Sequence, residues 1–238
     1  MEGAWIFAVL SVTVISLISL VGVLILAIGK NISKKQLMYL VSFSVGGLLG
    51  GAFFHLLPES LAKHDTEIVS ILILSGIFTS FLIEMILSWR HCHIPTSKDH
   101  PHTFVYMNLI GDGVHNFIDG LVVGGAFLVD MELGVATSLA IIMHEIPQEI
   151  GDYGVLLYGG MEPRRALILN LCSGVTAIFG TLVSLCLSGY VEALTGFLLP
   201  FAVGNFLYIA GSDLVPELKD EKDLSESFVQ LFLMVVGV

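Results

Sequence analysis

The chain of 238 residues is 55% hydrophobic and only 13% charged, about half the charged fraction of a soluble domain, which excludes an ordinary water-soluble fold. Ten Lys and Arg stand against 21 Asp and Glu, a net charge of -11, so nucleic-acid binding has no electrostatic support. Cys92, Cys172 and Cys186 are odd in number and too few for a disulfide framework.

Long apolar runs separated by Lys, Arg, Pro or Gly clusters predict spans over roughly 5–28, 37–61, 68–89, 104–130, 134–159, 164–189 and 193–217. Each is long enough for about 30 Å of hydrocarbon. The first run, Trp5 to Ile28, follows Glu2 and no basic residue, so it reads as a retained helix and not as a cleaved signal peptide. An eighth run begins near Leu224 and reaches Val238. It is too short to cross a bilayer alone, so either it continues beyond the sequence or its helix starts inside the preceding polar stretch. Connections are short apart from Arg90 to Thr103. The expectation is an all-α, polytopic membrane protein of eight transmembrane helices forming one domain over residues 1–238.

Basic residues mark cytoplasmic loops. Lys30, Lys34 and Lys35 follow helix 1, Arg90 and Lys98 follow helix 3, Arg164 and Arg165 follow helix 5, and Lys219 and Lys222 follow helix 7. Those nine share one side and only Lys63 lies on the other, which places both termini outside. A cell membrane, in a prokaryotic source, is expected.

Residues Phe43 to Glu59, FSVGGLLGGAFFHLLPE, align without gaps on Phe201 to Glu217, FAVGNFLYIAGSDLVPE. The predicted topology runs the first outward and the second inward. Such an inverted pair, here helices 1–3 and 6–8 around helices 4 and 5, is a mark of transporters that bind substrate between the repeats.

Helices 4 and 5 hold the chemistry. Asp112, His115, Asn116 and Asp119 are spaced 3, 1 and 3 apart and share one helical stripe. His144, Glu145, Gln148, Glu149 and Asp152 likewise share a face. Five carboxylates at membrane depth would cost roughly 12–17 kcal/mol if central and unpaired, and no Lys or Arg lies within those spans. A cation or a water-filled path must compensate. Imidazole with carboxylate and amide oxygen suits zinc, iron or manganese, whereas an all-oxygen set would suit magnesium or calcium. Pro147 cannot donate to the carbonyl of Met143, so the helix is expected to bend or open at the site. A lone buried His or Asn is more often an interhelical hydrogen bond than a ligand, but hydrogen bonding does not explain so many unneutralised acids.

His115-Asn-x-x-Asp119-Gly followed by His144-Glu-x-Pro-x-Glu149 resembles the ZIP (Zrt/Irt-like) family of divalent-metal transporters. Gly204-Asn-Phe-Leu-Tyr-Ile-Ala with Asp213-Leu-Val-Pro-Glu217 is similar to that family too. The resemblance implies eight helices with a two-metal centre between helices 4 and 5. It implies movement of Zn²⁺, or of Fe²⁺, Mn²⁺ or Cd²⁺, toward the cytoplasm by an elevator-like shift, with no organic cofactor. It assigns His115, Asp119 and His144 to the transported ion and Asn116 and Glu145 to a second, with Asp119 between the two. Gln148 departs from the family's His-Glu-x-Pro-His-Glu form, which weakens one ligand. The partners implied are the lipid bilayer and the metal ion, and the reading is compatible with a homodimer.

Other polar groups are weaker signals. Asn170 and Ser173 on helix 6 are either central polar groups or packing devices. Asp112 and Asp152 are second-shell or pathway groups in this reading, and His55 and Asp213 are pathway candidates near the outer end of helix 2 and the inner end of helix 7. His64 also lies near the outer mouth, and Glu84 lines a polar crevice. His91, Cys92, His93, His100 and His102 in the third loop could catch an emerging ion, or be incidental to a polar loop. The rival function is an intramembrane metalloenzyme, because His144-Glu145 opens an H-E-x-x-H pattern. That pattern breaks at Gln148.

Overall fold

A computed structural model describes residues 2–23, 33–91, 102–219 and 223–238. Among them there is no strand. The helices are α1 (Glu2–Ile18), α2 (Lys34–Gly50), α3 (Leu57–Lys63), α4 (Thr66–His91), α5 (Thr103–Val129), α6 (Met131–Tyr158), α7 (Pro163–Gly174), α8 (Thr176–Cys186), α9 (Val191–Tyr208), α10 (Val215–Lys219) and α11 (Leu224–Gly237). A π-helical turn, Gly51–Leu56, joins α2 to α3, and a second, Ile209–Leu214, joins α9 to α10. With α7 and α8 meeting end to end at Val175, the helices form eight rods.

Five stretches are long and apolar enough to cross a membrane: Gly3–Val21, Lys34–Lys63, Thr66–Leu87, Pro163–Cys186 and Ser188–Lys219. Helices α5 and α6, the predicted fourth and fifth spans, have 27 and 28 residues and are not among the five. They carry the acids, amides and histidines that lower their hydropathy, and they turn those groups inward. The 14 residues of α11 fall short of a full span, as its apolar run suggested.

Local chemistry sets the boundaries. Ser33 and Gln36 form a capping box at the start of α2, with Gln36 N 3.2 Å from Ser33 Oγ and Ser33 N 2.9 Å from Gln36 Oε1. Asp130, the lone non-helical residue between α5 and α6, accepts from the backbone N–H groups of Glu132 and Leu133 at 3.1 and 3.3 Å. A one-residue link forces these two helices to run antiparallel side by side.

The two π-turns are separated by the same 158 residues as the aligned sequence segments, counting from Gly51 to Ile209. In the first, Leu57 N donates to Ala52 O, and in the second Val215 N donates to Ala210 O. Each precedes a proline, Pro58 or Pro216, whose ring would press on the carbonyl four residues back. Widening the helix by a π-turn relieves that clash, and such turns recur at functional sites.

Glycines set the closest crossings. A Cβ on Gly46 of α2 would collide with the Met234 carbonyl of α11, and one on Gly237 with the Phe43 carbonyl. Helices α9 and α4 cross in the same way: Gly204 meets the Ile73 carbonyl and Gly76 the Phe201 carbonyl. Gly46 and Gly204 are again 158 residues apart. Small residues let such backbones touch where lipid gives no hydrophobic drive to associate. Helix α2 also packs on α6, and α9 on α5, while α1, α7 and α8 complete the packing around α5 and α6.

Two local expectations differ from the structure. The sixth span was expected as one helix over 164–189 but is broken at Val175, just after Gly174 lies against Ser19 of the α1 rod. Ser16 Oγ donates to Gly174 O at 2.8 Å there, so a backbone contact sets the break. Helix α6 was expected to bend or open at Pro147; it does not open, and stays helical from Met131 to Tyr158 with Pro147 inside it.

Candidate metal centre

Antiparallel packing of α5 on α6 sorts the polar residues into two clusters. The first holds His115 and Asp119 from α5 with His144 and Glu145 from α6, and one donor atom from each lies within 4.8 Å of the others. His144 Nε2 is 3.1 Å from Asp119 Oδ2 and 3.7 Å from Glu145 Oε1, while His115 Nε2 is 3.4 Å from Glu145 Oε1 and 3.6 Å from Asp119 Oδ2. Four ligands about 2.1 Å from a tetrahedral zinc stand roughly 3.4 Å from one another. The observed spacings bracket that value.

His115, Asp119 and Glu145 are buried, and His144 is the member that reaches the surface. His115 Nδ1 and Nε2 and both carboxylate oxygens of Glu145 are buried without a hydrogen-bond partner. Leaving such groups unpaired is costly. A cation among them would satisfy the carboxylate and imidazole lone pairs together. Phe206 of α9 packs against His115 with the two rings tilted by 49° and their centroids 5.1 Å apart.

A cleft of about 600 Å³ leads to this cluster, with Glu59, His55, His144, Asp119 and His115 along its wall. Its other walls come from α2, the first π-turn, α6 and the C-terminal end of α11, including Gly47, Phe54, Thr137, Met143 and Gly237. It therefore opens at the end of the bundle opposite the basic loops. The exposed His55, from the first π-turn, has its ring centroid 5.1 Å from that of His144. Gln148 also lines the cleft.

The second cluster is Asp112, Glu149 and Asp152, again with one oxygen from each within 4.8 Å of the others. Asn116 Nδ2 donates to Asp112 Oδ1 at 2.9 Å, Gln148 Nε2 reaches the same oxygen at 3.4 Å, and Asn108 Nδ2 donates to Asp152 Oδ1 at 3.0 Å. Ser19 and Asn170 both donate to Glu149. Ser173 is buried beside them and donates to the Asn170 carbonyl at 2.8 Å.

The resemblance assigns Asn116 and Glu145 to a second ion, with Asp119 between the two ions. Glu145 lies with the two histidines, whereas Asn116 is held by Asp112. Glu149 faces α1 and α7, away from His115 and His144. Ser19 and Asn108 were not foreseen as site residues. Asn108 could have been found, because it sits four residues before Asp112 on the stripe already recognised. Ser19 lies in an otherwise apolar run and offered no such sign.

Asp213 sits in the second π-turn at the position that aligns with His55, buried, with Oδ2 unpartnered. Tyr208 nearby donates to Glu84. His64 packs at Gly196 of α9. Of the loop residues, His102 is exposed with its ring 4.6 Å from that of Phe104. The side chain of His91, and all of Cys92, His93 and His100, lie outside the described residues.

The family model described as "ZIP Zinc transporter" matches residues 2–104 and 96–238. The zinc transporter ZIP13 of Pongo abelii is 33% identical over 220 residues, covering 85% of this chain, and the chain spans 65% of that protein's length. The zinc transporter ZIP13 homolog of Drosophila melanogaster is 29% identical over 308 residues, covering 98% of this chain and 87% of that protein. The zinc transporter ZIP4 of Homo sapiens is 46% identical over 118 residues, which are 50% of this chain and 18% of that protein. With the family model matching from end to end, and the paired polar helices in place, the chain belongs to the ZIP family of zinc transporters.

Proposed function

We propose that the chain carries a divalent transition-metal ion, zinc foremost, across the membrane through the centre formed by His115, Asp119, His144 and Glu145 between α5 and α6. One observation carries the reading: two imidazoles and two carboxylates from two helices bring one donor atom each within 4.8 Å of one another, with His115, Asp119 and His144 on the wall of a cleft. Two imidazoles with two carboxylates suit zinc and also accept Fe²⁺, Mn²⁺ or Cd²⁺. The chain is a transporter and not an enzyme, in keeping with its family.

The basic residues Lys34, Lys35, Arg164, Arg165 and Lys219 lie at the end opposite the cleft. Taking that end as cytoplasmic, the protein is a multi-pass cell-membrane transporter with both termini outside, and the ion moves inward. It enters past Glu59 and His55, is taken by His144 and Asp119, and settles between His115 and Glu145. The matched π-turns and matched glycine crossings support an inverted repeat in which His55 and Asp213 serve the two sides of the same path. Transport then consists of α1, α5, α6, α7 and α8 shifting against the crossed pairs α2 with α11 and α9 with α4.

Proteoliposomes loaded with a metal-sensitive dye test this directly. Wild-type protein and the exposed-site variant Glu67→Ala should both admit Zn²⁺, and Asp119→Ala, though folded, should not. Wild-type uptake by Asp119→Ala would reject the placement of the ion. Failure of the wild type with every one of the four metals would reject the function.

A further inference from the structure

Apart from the metal cleft, the molecule has a second large hollow, of about 630 Å³, between α4, α5, the α7–α8 rod and α9. Leu87, Leu109, Phe117, Phe179 and Leu198 line it. Its volume falls within the range of about 300–1,000 Å³ typical of small-molecule sites. Along α5 it extends from Tyr106 to Phe117, a rise of about 16 Å at 1.5 Å per residue. That is about half of a 30 Å hydrocarbon core. The hollow is therefore as deep as one leaflet, and it begins at the basic end of the bundle.

That end carries the headgroup chemistry. Arg165 Nη2 lies 3.4 Å from the Tyr106 hydroxyl at the mouth, and Arg164 is its neighbour. Both arginines are exposed, and among the described residues neither pairs with a carboxylate. Arginine beside a tyrosine hydroxyl is a donor pair suited to phosphate, and basic groups at a membrane surface favour anionic lipid. An apolar slot one leaflet deep beneath two exposed arginines matches a phospholipid end to end. A free anion would leave the slot open, and a peptide would bring unsatisfied backbone groups to membrane depth.

We infer that this hollow binds one anionic phospholipid, with an acyl chain between α5 and α8–α9 and its phosphate on Arg165 and Tyr106. The site shares no lining residue with the cluster of His115, Asp119, His144 and Glu145, and lies on the seam between α5 with α7–α8 and the α4–α9 pair.

The test uses the purified full chain in detergent, given equal amounts of phosphatidylglycerol and phosphatidylcholine with identical chains, and reads bound lipid by native mass spectrometry. Phosphatidylglycerol should be retained about tenfold over phosphatidylcholine, with inorganic phosphate unable to displace it. Arg165→Gln should remove most of that preference while keeping the slot filled. Cys172→Trp, which plugs the slot from an exposed lining position, should lower retention of both lipids. The wild type gives a second reading free of any folding defect: phosphatidylglycerol should slow maleimide modification of Cys172 severalfold more than phosphatidylcholine does. Equal retention of the two lipids, displacement by phosphate, an unchanged preference in Arg165→Gln or unprotected Cys172 would each overturn the inference. None of these readings depends on metal transport.

Discussion

Tyr158, at the last turn of α6, donates a 2.9 Å hydrogen bond to Glu217 of α10, and Lys34 of α2 stands 5.8 Å from the centroid of the same ring. The contact lies at the end of the bundle opposite the metal cleft. It ties a helix that carries proposed ion-binding residues to one half of the flanking frame. In the transport cycle proposed above, this contact would hold the basic end closed while the cleft is open at the other end. A hydrogen bond of this kind contributes about 1 kcal/mol, close to a fivefold change in an equilibrium constant. Tyr158→Phe should therefore raise the population open at the basic end by several-fold. A cysteine at Met38, which is half-buried beside Tyr158, should then react several-fold faster with a water-soluble thiol reagent. Unchanged reactivity would mean that packing alone closes that end.

The side of the membrane on which the cleft opens can be read in intact cells. Among the described residues, Lys34, Lys35, Arg164, Arg165 and Lys219 lie at one end of the bundle, and Lys63 lies at the other. A cysteine at Asp65, exposed between α3 and α4, should react with an impermeant thiol reagent added outside, and one at Lys98 should not. The reverse pattern would invert the direction of transport proposed above.

Ser19 and Asn170 test what Glu149 does. Both donate to its carboxylate, so Ser19→Ala or Asn170→Ala leaves a buried acid short of a donor. Each should cost about 1–3 kcal/mol of stability, seen as a lower thermal midpoint. Zinc affinity should change less than threefold, because His115, Asp119, His144 and Glu145 are untouched. A large loss of affinity at full stability would make Glu149 part of the ion site.

The arrangement of the two polar helices was largely legible, and its finer division had a readable cause. Asn108 and Asp152, Asp112 and Gln148, and His115 and Glu145 are each equidistant along the chain from Asp130, the one residue between α5 and α6. An antiparallel pair folded at that residue must set those positions level with each other. The turn at Asp130 sets Glu145 level with His115. Glu149 is a full turn deeper, about 6 Å along the axis, and meets Ser19 and Asn170, residues distant in sequence that no local pattern connects to it. The π-turns were not legible either, although Pro58 and Pro216 mark them. A proline near the end of an apolar run reads as a terminus, whereas here a π-turn before each proline carries the rod on into α3 or α10.

Gln148 offers the sharpest test of how the centre is tuned. It lines the cleft one turn beyond His144, and its amide nitrogen lies 3.4 Å from Asp112 Oδ1. It thus sits between the two clusters and gives the histidine cluster at most a neutral oxygen. An imidazole in its place would bring a nitrogen that zinc binds well within reach of the donors already gathered by His144 and Glu145. Gln148→His should then bind Zn²⁺ about tenfold more tightly and transport it at a lower maximal rate, because a transported ion must be held weakly enough to leave. Calorimetric titration of the purified variant beside a proteoliposome assay reads both quantities. The substitution also removes a donor from Asp112, so a lower thermal midpoint is expected with it. If the variant is folded and its affinity unchanged, Gln148 serves Asp112 alone, and the weak hold on the ion has to come from the four donors of His115, Asp119, His144 and Glu145.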